Sequence, residues 1–281
     1  MLSIQLIIHD GIPDWWESPD IWFVPGTDPD GVRGIPVVGR TAYLWATVTN
    51  VGTEDATQVQ VDFWIANPAL QLRKSLANKV GTAFADIAAG ASQDVLCLVP
   101  WSVALVNGGH ECAVVVAKHP ADPLFPPPAD PDVLDALTYR QIAQRNLSVL
   151  QLAQYSEIVI GVHTGLRSEK DVRIKTILGG ELSGAVLEQL GVPARRLVSQ
   201  RHLRASLSSQ SQCNRTAHMT DTLNLRLAPG TSVPVFLNVT EVEQLRPDEY
   251  GVVKVVEEQQ GRVVGGVSFV VVAMPQKASV K

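Results

Sequence analysis

The chain has 281 residues, more than the usual single domain, which predicts two domains. Apolar residues make up 46% of it and charged residues 18%, a composition that excludes a disordered polymer and is sufficient for ordinary packed cores. The net charge of −5 is unevenly divided, since residues 1–150 hold 16 acidic and 8 basic side chains whereas residues 151–281 hold 12 and 15. This opposition argues against nucleic acid as a partner, and it permits the acidic half of one copy to attract the basic half of another.

The N-terminal stretch MLSIQLIIHDGIPDWW has no basic segment before its short apolar run, so it does not fit a secretory signal. No apolar run reaches the length of roughly 18 residues that a membrane span needs. We therefore expect no membrane span, and a chain that is cytoplasmic or released without a cleavable signal. The strand-like LSIQLII could pair with a sheet edge of another copy by strand addition.

Acidic residues gather in the next segment, within DGIPDWWESPDIW and PGTDPDG. They are Asp10, Asp14, Glu17, Asp20, Asp28 and Asp30. Oxygen ligands held by a loop could bind Ca²⁺, although this spacing matches no EF-hand. Asp-Pro pairs recur in PADPLFPPPADPD, so acids that simply face solvent in turns are the alternative, and no resident metal or cofactor is expected.

Nearly every periodic segment has a period of two, which is the period of a β-strand. Two apolar faces stand out: Ala42, Leu44, Ala46 and Val48 in TAYLWATV, and Val59, Val61 and Phe63 in TQVQVDFWI. The break Asn50-Val51-Gly52 between these runs predicts a β-hairpin turn in which Asn50 and Gly52 accept positive φ. Similar short runs, separated by turn residues, continue to the C-terminus, a pattern typical of β-sandwiches.

Two segments depart from this pattern and predict one or two short helices in an otherwise all-β fold. SGAVLEQLG, which begins at Ser183, reads as a short helix with serine as its cap and Gly191 as its stop. PDVLDALTYRQIA, residues 131–143, is a second helix candidate. The pairs Gly179-Gly180 and Gly265-Gly266 lie inside strand-like sequence and indicate bulges or a close approach of another backbone segment.

An internal repeat relates the two halves of the chain. IAAGASQDVLCLV, which begins at Ile87, aligns without gaps with LAPGTSVPVFLNV at an offset of 140 residues. Each copy contains a glycine, Gly90 or Gly230, which predicts a turn that returns the chain as a strand. ECAVVVA matches GVVKVVE at the same offset, so duplication is the better account of the repeat. We therefore predict two tandem immunoglobulin-like β-sandwich domains, residues 1–150 and 151–281.

Several motifs of the first half resemble the bacterial CARDB-type immunoglobulin-like domain: WESPDIWFVPG, TNVGTEDATQVQVDFWIANP, IAAGASQDVLCLVPW, GGHECAVVVAKHPADPL and IAQRNLSV. The similarity covers about residues 15–150, and the turn Asn-x-Gly-x-x-x-Ala is its most specific part. The second half is similar only in its general immunoglobulin-like or fibronectin-like pattern. The resemblance implies a β-sandwich used for stacking or binding, in a family named for a link to cell adhesion, with no catalytic residues to carry over.

The sequence contains no nucleophile elbow, zinc-binding helix motif, Walker loop or dinucleotide fingerprint, so a non-catalytic role is expected. Cys97 and Cys112 fall on adjacent predicted strands, where a disulfide and two buried thiols are the alternatives. His110 could hold a metal together with Cys112. The other interpretation is a partly buried histidine at the place where the second half has Tyr250.

All tryptophans lie in the first half: Trp15, Trp16, Trp22, Trp45, Trp64 and Trp101. If the apolar faces described above line the core, Trp45 and Trp64 point outwards on neighbouring strands. An exposed indole can stack on a sugar or anchor a protein interface. The alternative is a covering layer that includes Trp15 and Trp16.

The second half has a basic cluster in ARRLVSQRHLR, formed by Arg195, Arg196, Arg201, His202 and Arg204. A solvated basic face and a site for an acidic partner, including the first half of another copy, are the alternatives. The second kind of contact would be head-to-tail and would build rings or filaments. We thus expect a structural and interaction protein that binds protein, including its own copies. A carbohydrate-binding or adhesin-like module that uses the tryptophans is the alternative.

Overall fold

The computed structural model describes residues 3–37, 39–67, 69–103, 111–152, 155–164, 169–192, 195–198, 200–211 and 219–273. The strands are β1 (Leu6–Ile7), β2 (Ile21–Pro25), β3 (Thr41–Asn50), β4 (Ala56–Ala66), β5 (Ala77–Ile87), β6 (Ser92–Leu96), β7 (Trp101–Ser102), β8 (Cys112–Lys118), β9 (Ile142–Arg145), β10 (Leu147–Leu152), β11 (Tyr155–His163), β12 (Lys170–Leu178), β13 (Arg196–Leu197), β14 (Leu203–Ser208), β15 (Thr222–Leu227), β16 (Ser232–Glu241), β17 (Glu249–Gln259) and β18 (Arg262–Ala273). The helical elements are α1 (Gly184–Gln189) and the 3₁₀ turns Lys74–Leu76 and Gln200–His202. This predominance of strands confirms the all-β fold class.

The first half of the chain forms two sheets that face each other. In one sheet β3 pairs with β1 and β2 along one edge and with β6 and β7 along the other, while the facing sheet has the order β5-β4-β8-β9. The core between them takes Leu44 from the first sheet and Val61 and Val115 from the second. Every residue of the two predicted apolar faces is buried: Ala42, Leu44, Ala46, Val48, Val59, Val61 and Phe63. The alternation therefore predicted the inner faces of β3 and β4 correctly.

The predicted hairpin between β3 and β4 is wrong. The two strands lie in different sheets, so the segment between them crosses from one sheet to the other, and neither Asn50 nor Gly52 has a positive φ. The buried Asn50 side chain holds this crossing, since it accepts a hydrogen bond from the Gly52 N–H at 3.0 Å and donates one to the Glu54 carbonyl at 2.8 Å. Only glycine fits at position 52, because a Cβ there would lie 2.4 Å from the carbonyl oxygen of Ser3.

The second half repeats the strand order of one sheet of the first. Its larger sheet has the order β15-β12-β17-β18-β10, with β13 beside β17, and it faces a sheet of order β11-β16-β14. Ile160, Leu237 and Val255 lie in the core between these sheets. The order β15-β12-β17-β18 matches β5-β4-β8-β9, and in each half the chain changes sheets at a glycine, Gly90 with φ 72° and Gly230 with φ 68°. The two halves thus share the strand order of one sheet and a change of sheet at a glycine of the repeat.

The first helix candidate is confirmed and the second is wrong. The Ser183 side chain accepts a hydrogen bond from the Val186 N–H at the start of α1, and Gly191 has a φ of 66° just after its end. Residues 131–141 form turns and irregular structure instead, and Ile142 and Ala143 pair with β8 as the start of β9. Long-range strand pairing thus outweighs the weak helical tendency of this segment. No helix within the described ranges is long and apolar enough to cross a membrane.

The N-terminal segment pairs with its own chain. Leu6 and Ile7 lie opposite Asn50 and Thr49 of β3, and the Leu6 N–H donates to the Asp122 carboxylate at 2.8 Å. The segment that we predicted could add to a sheet of another copy is therefore a strand of its own chain's sheet.

Asp62 of β4 has a buried carboxylate on the outer side of its sheet. It accepts hydrogen bonds from the Thr82 hydroxyl at 2.7 Å and from the Gln60 amide at 3.0 Å, with the Lys79 ammonium 2.8 Å away and Lys118 as a further donor. Burial by itself would raise the pKa of Asp62, but these hydrogen bonds outweigh it and hold the pKa well below its usual range.

The substitution Asp62→Asn is expected to lower the free energy of unfolding by about 2 kcal/mol at neutral pH, because hydrogen bonds to a charged acceptor are lost. Since the folded-state pKa is depressed, this contribution is complete above the unfolded-state pKa of about 4 and is lost as the pH falls below it. Chemical unfolding of variant and wild type at several pH values measures the effect. The control is Asp94→Asn, whose exposed carboxylate accepts one bond from the Thr47 hydroxyl at 2.7 Å. The same pH dependence in both variants would contradict the prediction.

Candidate interaction surface

Trp15 and Trp16 lie where the two sandwiches meet, and both are buried. The two rings are arranged edge to face, with centroids 5.7 Å apart. The Trp16 indole N–H donates to the Ser268 hydroxyl of β18 at 2.9 Å, and that hydroxyl donates in turn to the Glu17 carboxylate. Both indole rings thus pack against side chains of their own chain.

The Gly265-Gly266 pair allows this meeting of the sandwiches. A Cβ at Gly266 would lie 2.3 Å from the Trp16 ring, and a Cβ at Gly265 would lie 1.9 Å from the carbonyl oxygen of Leu70. The close backbone approach that the sequence indicated at this pair is confirmed. The first half packs against β18 at a distance that only glycine permits.

Asn146 joins the sandwiches, and we call the buried region around it the seam: Trp16, Glu17, Arg145, Asn146 and Ser268. Asn146 is the single residue between β9 of the first half and β10 of the second. Its side-chain amide donates to the carbonyls of Ala69 at 3.0 Å and Gly266 at 2.6 Å. Its backbone N–H donates to the Trp16 carbonyl at 2.7 Å, and its carbonyl accepts from the Ser268 N–H at 2.8 Å. Both sandwiches therefore depend on one fully buried residue.

Arg145 links the seam to α1 of the second half. Its buried guanidinium donates to the carbonyls of Ser18 at 3.2 Å and Ile21 at 2.9 Å, and to the Gln189 amide oxygen at 2.8 Å. Burial lowers the pKa of Arg145 to about 10, and the nearby Glu17 carboxylate opposes that shift. The guanidinium remains charged at neutral pH and joins two other chain segments, residues 18–21 and α1.

The acidic residues of the N-terminal segment do not form one site. Asp14 pairs with Lys254 across the seam, Glu17 accepts from Ser268, and Asp20 lies 2.7 Å from His9. No group of three or more His, Cys, Asp or Glu side chains placed to hold a metal occurs among the described residues. Their arrangement lends no support to the calcium alternative.

Trp45 lies on the outer face of the β3 sheet, in a row with Trp22 of β2 and Leu96 of β6. The Trp22 and Trp45 rings are stacked, with centroids 5.9 Å apart and an interplanar angle of 7°. The guanidinium carbon of Arg33 lies 3.8 Å from the centre of the Trp22 ring, and the Trp45 indole N–H donates to the Pro29 carbonyl at 3.0 Å. The loop between β2 and β3 thus covers part of this row, while Trp45 is half-buried.

Trp64 is covered in a different way. It packs against a buried cluster that includes Trp15 and Trp16, and the Lys79 ammonium lies 5.8 Å from its ring centre. Trp64 thus lies against the cluster that contains Trp15 and Trp16, whereas Trp45 is covered in part by the loop between β2 and β3. Arg33, which lies over Trp22, was not identified from the sequence, because the loop that carries it has no regular pattern.

The basic residues of the second half are distributed over different sheets. The Arg196 guanidinium lies 2.6 Å from the Glu249 carboxylate, and the Arg195 guanidinium donates to the Glu249 carbonyl at 3.4 Å. Arg201 and Arg204 are exposed, with Arg204 on β14. Glu249 neutralises part of the cluster's charge, so Arg204 is the better candidate for contact with an acidic partner. That role remains a prediction.

Cys97 and Cys112 are free, buried thiols, so the disulfide alternative is wrong. Cys112 belongs to β8 and contacts the Asn146 side chain, whereas Cys97 follows β6 in the facing sheet. Burial raises the pKa of both thiols, which keeps them protonated. His110, the residue considered with Cys112 for a metal, lies outside the described residues.

No family model matches the chain, and no curated protein matches it. The solved structures that match include the CFA/I adhesin CfaE of enterotoxigenic E. coli, at 9% identity and a TM-score of 0.27, over 98% of this chain and 94% of that one. A β-glucuronidase from Bacteroides uniformis matches at 11% identity and a TM-score of 0.25, over 96% of this chain and 32% of the enzyme. A glycosyl hydrolase family 2 member from Bacteroides cellulosilyticus matches at 10% and 0.25, over 96% of this chain and 36% of that protein. This chain thus spans about a third of each hydrolase, and at such TM-scores its function has to be argued from its own residues.

Proposed function

We propose that this chain is a non-catalytic structural and interaction protein made of two tandem immunoglobulin-like sandwiches, the first of the CARDB type. The boundary predicted at residue 150 moves to Asn146, because β10 already pairs with β18 of the second half. The matching strand orders and sheet-changing glycines of the two halves support the tandem arrangement. The motifs quoted above support the CARDB assignment. In such a protein the exposed faces and edges of the sheets contact the partner, and the packed interior holds these surfaces in place.

The seam is the observation that carries this proposal. Contacts between domains of one chain are usually small and polar, and domains move relative to each other by default. Here a single residue separates the last strand of the first half from the first strand of the second, and that residue is fully buried. Trp16, Arg145 and Ser268 then add hydrogen bonds between segments far apart in the chain. Two sandwiches joined in this way form a rigid body that presents its surfaces at a fixed separation, as a structural unit requires.

The charge distribution supports protein as the partner, including other copies of this chain. The first half is acidic and the second is basic, and Arg204 presents an exposed positive charge on β14. Opposite charges on two ends of a rigid body favour head-to-tail association. The carbohydrate alternative has less support, since Trp22 and Trp45 stack on each other and the sugar would have to bind the remaining exposed part of Trp45.

Light scattering after size exclusion, at low and at high salt, tests the proposal. We expect a species larger than the 30.3 kDa chain at low salt that dissociates at high salt, because charge attraction is screened. Arg204→Glu should weaken the association, whereas the control Arg262→Glu, an equal charge change at an exposed position in the same half, should not. A monomer at both salts that binds a glycan, with a tryptophan emission shift lost in Trp45→Ala, would contradict the proposal in favour of the carbohydrate alternative.

A further inference from the structure

We propose that the open side of the first sandwich, beside β6, is a docking site for an extended strand of another polypeptide whose apolar residues alternate with basic ones. This inference rests on the proposed interaction function and names the surface and the partner chemistry. The site, which we call the edge groove, is lined by Phe84, Leu96 and Leu98, and the exposed Val99 follows it in the chain.

The second sandwich has a strand at the position that is open in the first. At the repeat offset of 140 residues, β6 corresponds to the start of β16. β16 lies between β11 and β14, whereas β6 pairs with β3, the counterpart of β11. Among the described strands, none pairs with the other side of β6. The first sandwich therefore lacks a counterpart of β14, and within the described residues this edge of β6 has no strand beside it.

The exposure of the side chains that follow β6 agrees with the absence of a strand beside it. In the second sandwich β14 runs beside Asn238 and Val239, which are 1% and 0% exposed. The residues at the same repeat positions in the first sandwich are Leu98 and Val99, which are 77% and 47% exposed. Two apolar side chains thus lie in solvent at the place where the other half of the protein covers their counterparts.

The apolar surface continues across to the neighbouring edge strand, β5. Phe84 of β5 is 60% exposed and lines, with Leu96 and Leu98, a shallow groove of about 540 Å³. Gly81 of β5 lets Val99 lie close, since a Cβ at Gly81 would meet the Val99 side chain at 3.0 Å. An exposed edge strand next to a continuous apolar patch is the arrangement in which an extended peptide adds to a sheet.

The chain itself shows what kind of strand fits. In β14, Leu203, Ala205 and Leu207 enter the core of the second sandwich, while Arg204 between them is exposed. Asp86 and Asp94 line the edge groove. A partner strand with apolar residues at alternate positions would cover Phe84 and Leu98, and basic residues would pair with the two carboxylates. Pro100 has no N–H to donate, so the pairing ends before it.

The test uses a fluorescent peptide with the sequence of residues 201–209, RHLRASLSS, and the full chain. We expect saturable binding by fluorescence polarisation, weakened about tenfold by Leu98→Lys, because a charge replaces a central apolar contact. The control Val242→Lys makes a similar change at a position that is 55% exposed in the second sandwich, and it should leave the affinity unchanged. A second peptide with glutamate in place of both arginines should bind less tightly, and hydrogen exchange should slow at residues 94–99 when the first peptide binds.

Binding that Leu98→Lys does not weaken would place the peptide elsewhere and overturn the proposal, as would no binding to the wild-type chain. If the chain instead forms a dimer that Leu98→Lys abolishes while the peptide fails to bind, the occupant is a second copy and the separate partner strand is wrong. Salt-sensitive association that survives Leu98→Lys, with no peptide binding, would refute the edge groove and leave the proposed function standing.

Discussion

The substitution Gly265→Ala is expected to lower the free energy of unfolding by about 3 kcal/mol, the upper end of the usual range for overpacking in a well-packed interior. A Cβ at this position would lie 1.9 Å from the carbonyl oxygen of Leu70, a backbone atom that cannot turn aside as a side chain can. Either β18 or the segment around Leu70 must move, and that movement also shifts the contact between Gly266 and Trp16. Urea unfolding of variant and wild type, followed by circular dichroism, measures the difference.

Gly184→Ala provides the matched control for this substitution. A Cβ at Gly184 has no heavy atom within 4 Å, and alanine favours the helix that begins there, so stability should be unchanged or higher by less than about 1 kcal/mol. If Gly265→Ala unfolds at the same urea concentration as Gly184→Ala, the close approach of β18 to Leu70 is wrong. The proposal of a rigid two-sandwich body would then lose its main support.

The sequence predicted which side of a strand is buried more reliably than which strand it pairs with. Val48 and Val59 were both assigned to the core, and both are in it, because the alternation of side chains across a strand is a local property. Their strands were predicted to form a hairpin and do not, because pairing depends on segments far away in the chain. Asn50 illustrates this: local rules predicted a turn residue, but its amide also bonds to the Ile87 carbonyl at 3.2 Å.

The candidate surfaces were predictable to the same limited extent. That Trp45 points outwards follows from the strand period, whereas its cover depends on a loop of irregular sequence and could not be foreseen. In the sequence, Arg145 of the seam looks like an ordinary polar residue of a strand. Its hydrogen-bond partners lie between 44 and 127 residues away in the chain, so no local pattern indicates them. The Gly265-Gly266 pair was the one local signal of the seam, because a strand seldom has two adjacent glycines unless another segment lies close.

The substitution Asn146→Leu is expected to lower the free energy of unfolding by about 3 kcal/mol, although leucine has nearly the same shape. The asparagine amide donates to the carbonyls of Ala69 and Gly266, which lie on the two sides of the seam. Leucine would leave both carbonyls buried without these donors, at a cost of about 1–3 kcal/mol for each group. Chemical unfolding measures the loss, and a second transition would show that the two sandwiches have begun to unfold separately.

The control is Asn224→Leu, the same change on the exposed side of β15, which should alter stability by no more than about 0.5 kcal/mol. The comparison separates the effect of the seam from the general effect of removing an amide. A large loss with a single sharp transition would mean that the seam and both cores unfold together, so the chain behaves as one cooperative body. A loss no larger than that of Asn224→Leu would show that Asn146 does not hold the sandwiches. The fixed spacing between the edge groove on β6 and Arg204 on β14 would then have to come from the other contacts between the halves, those of Trp16, Arg145 and Gly265.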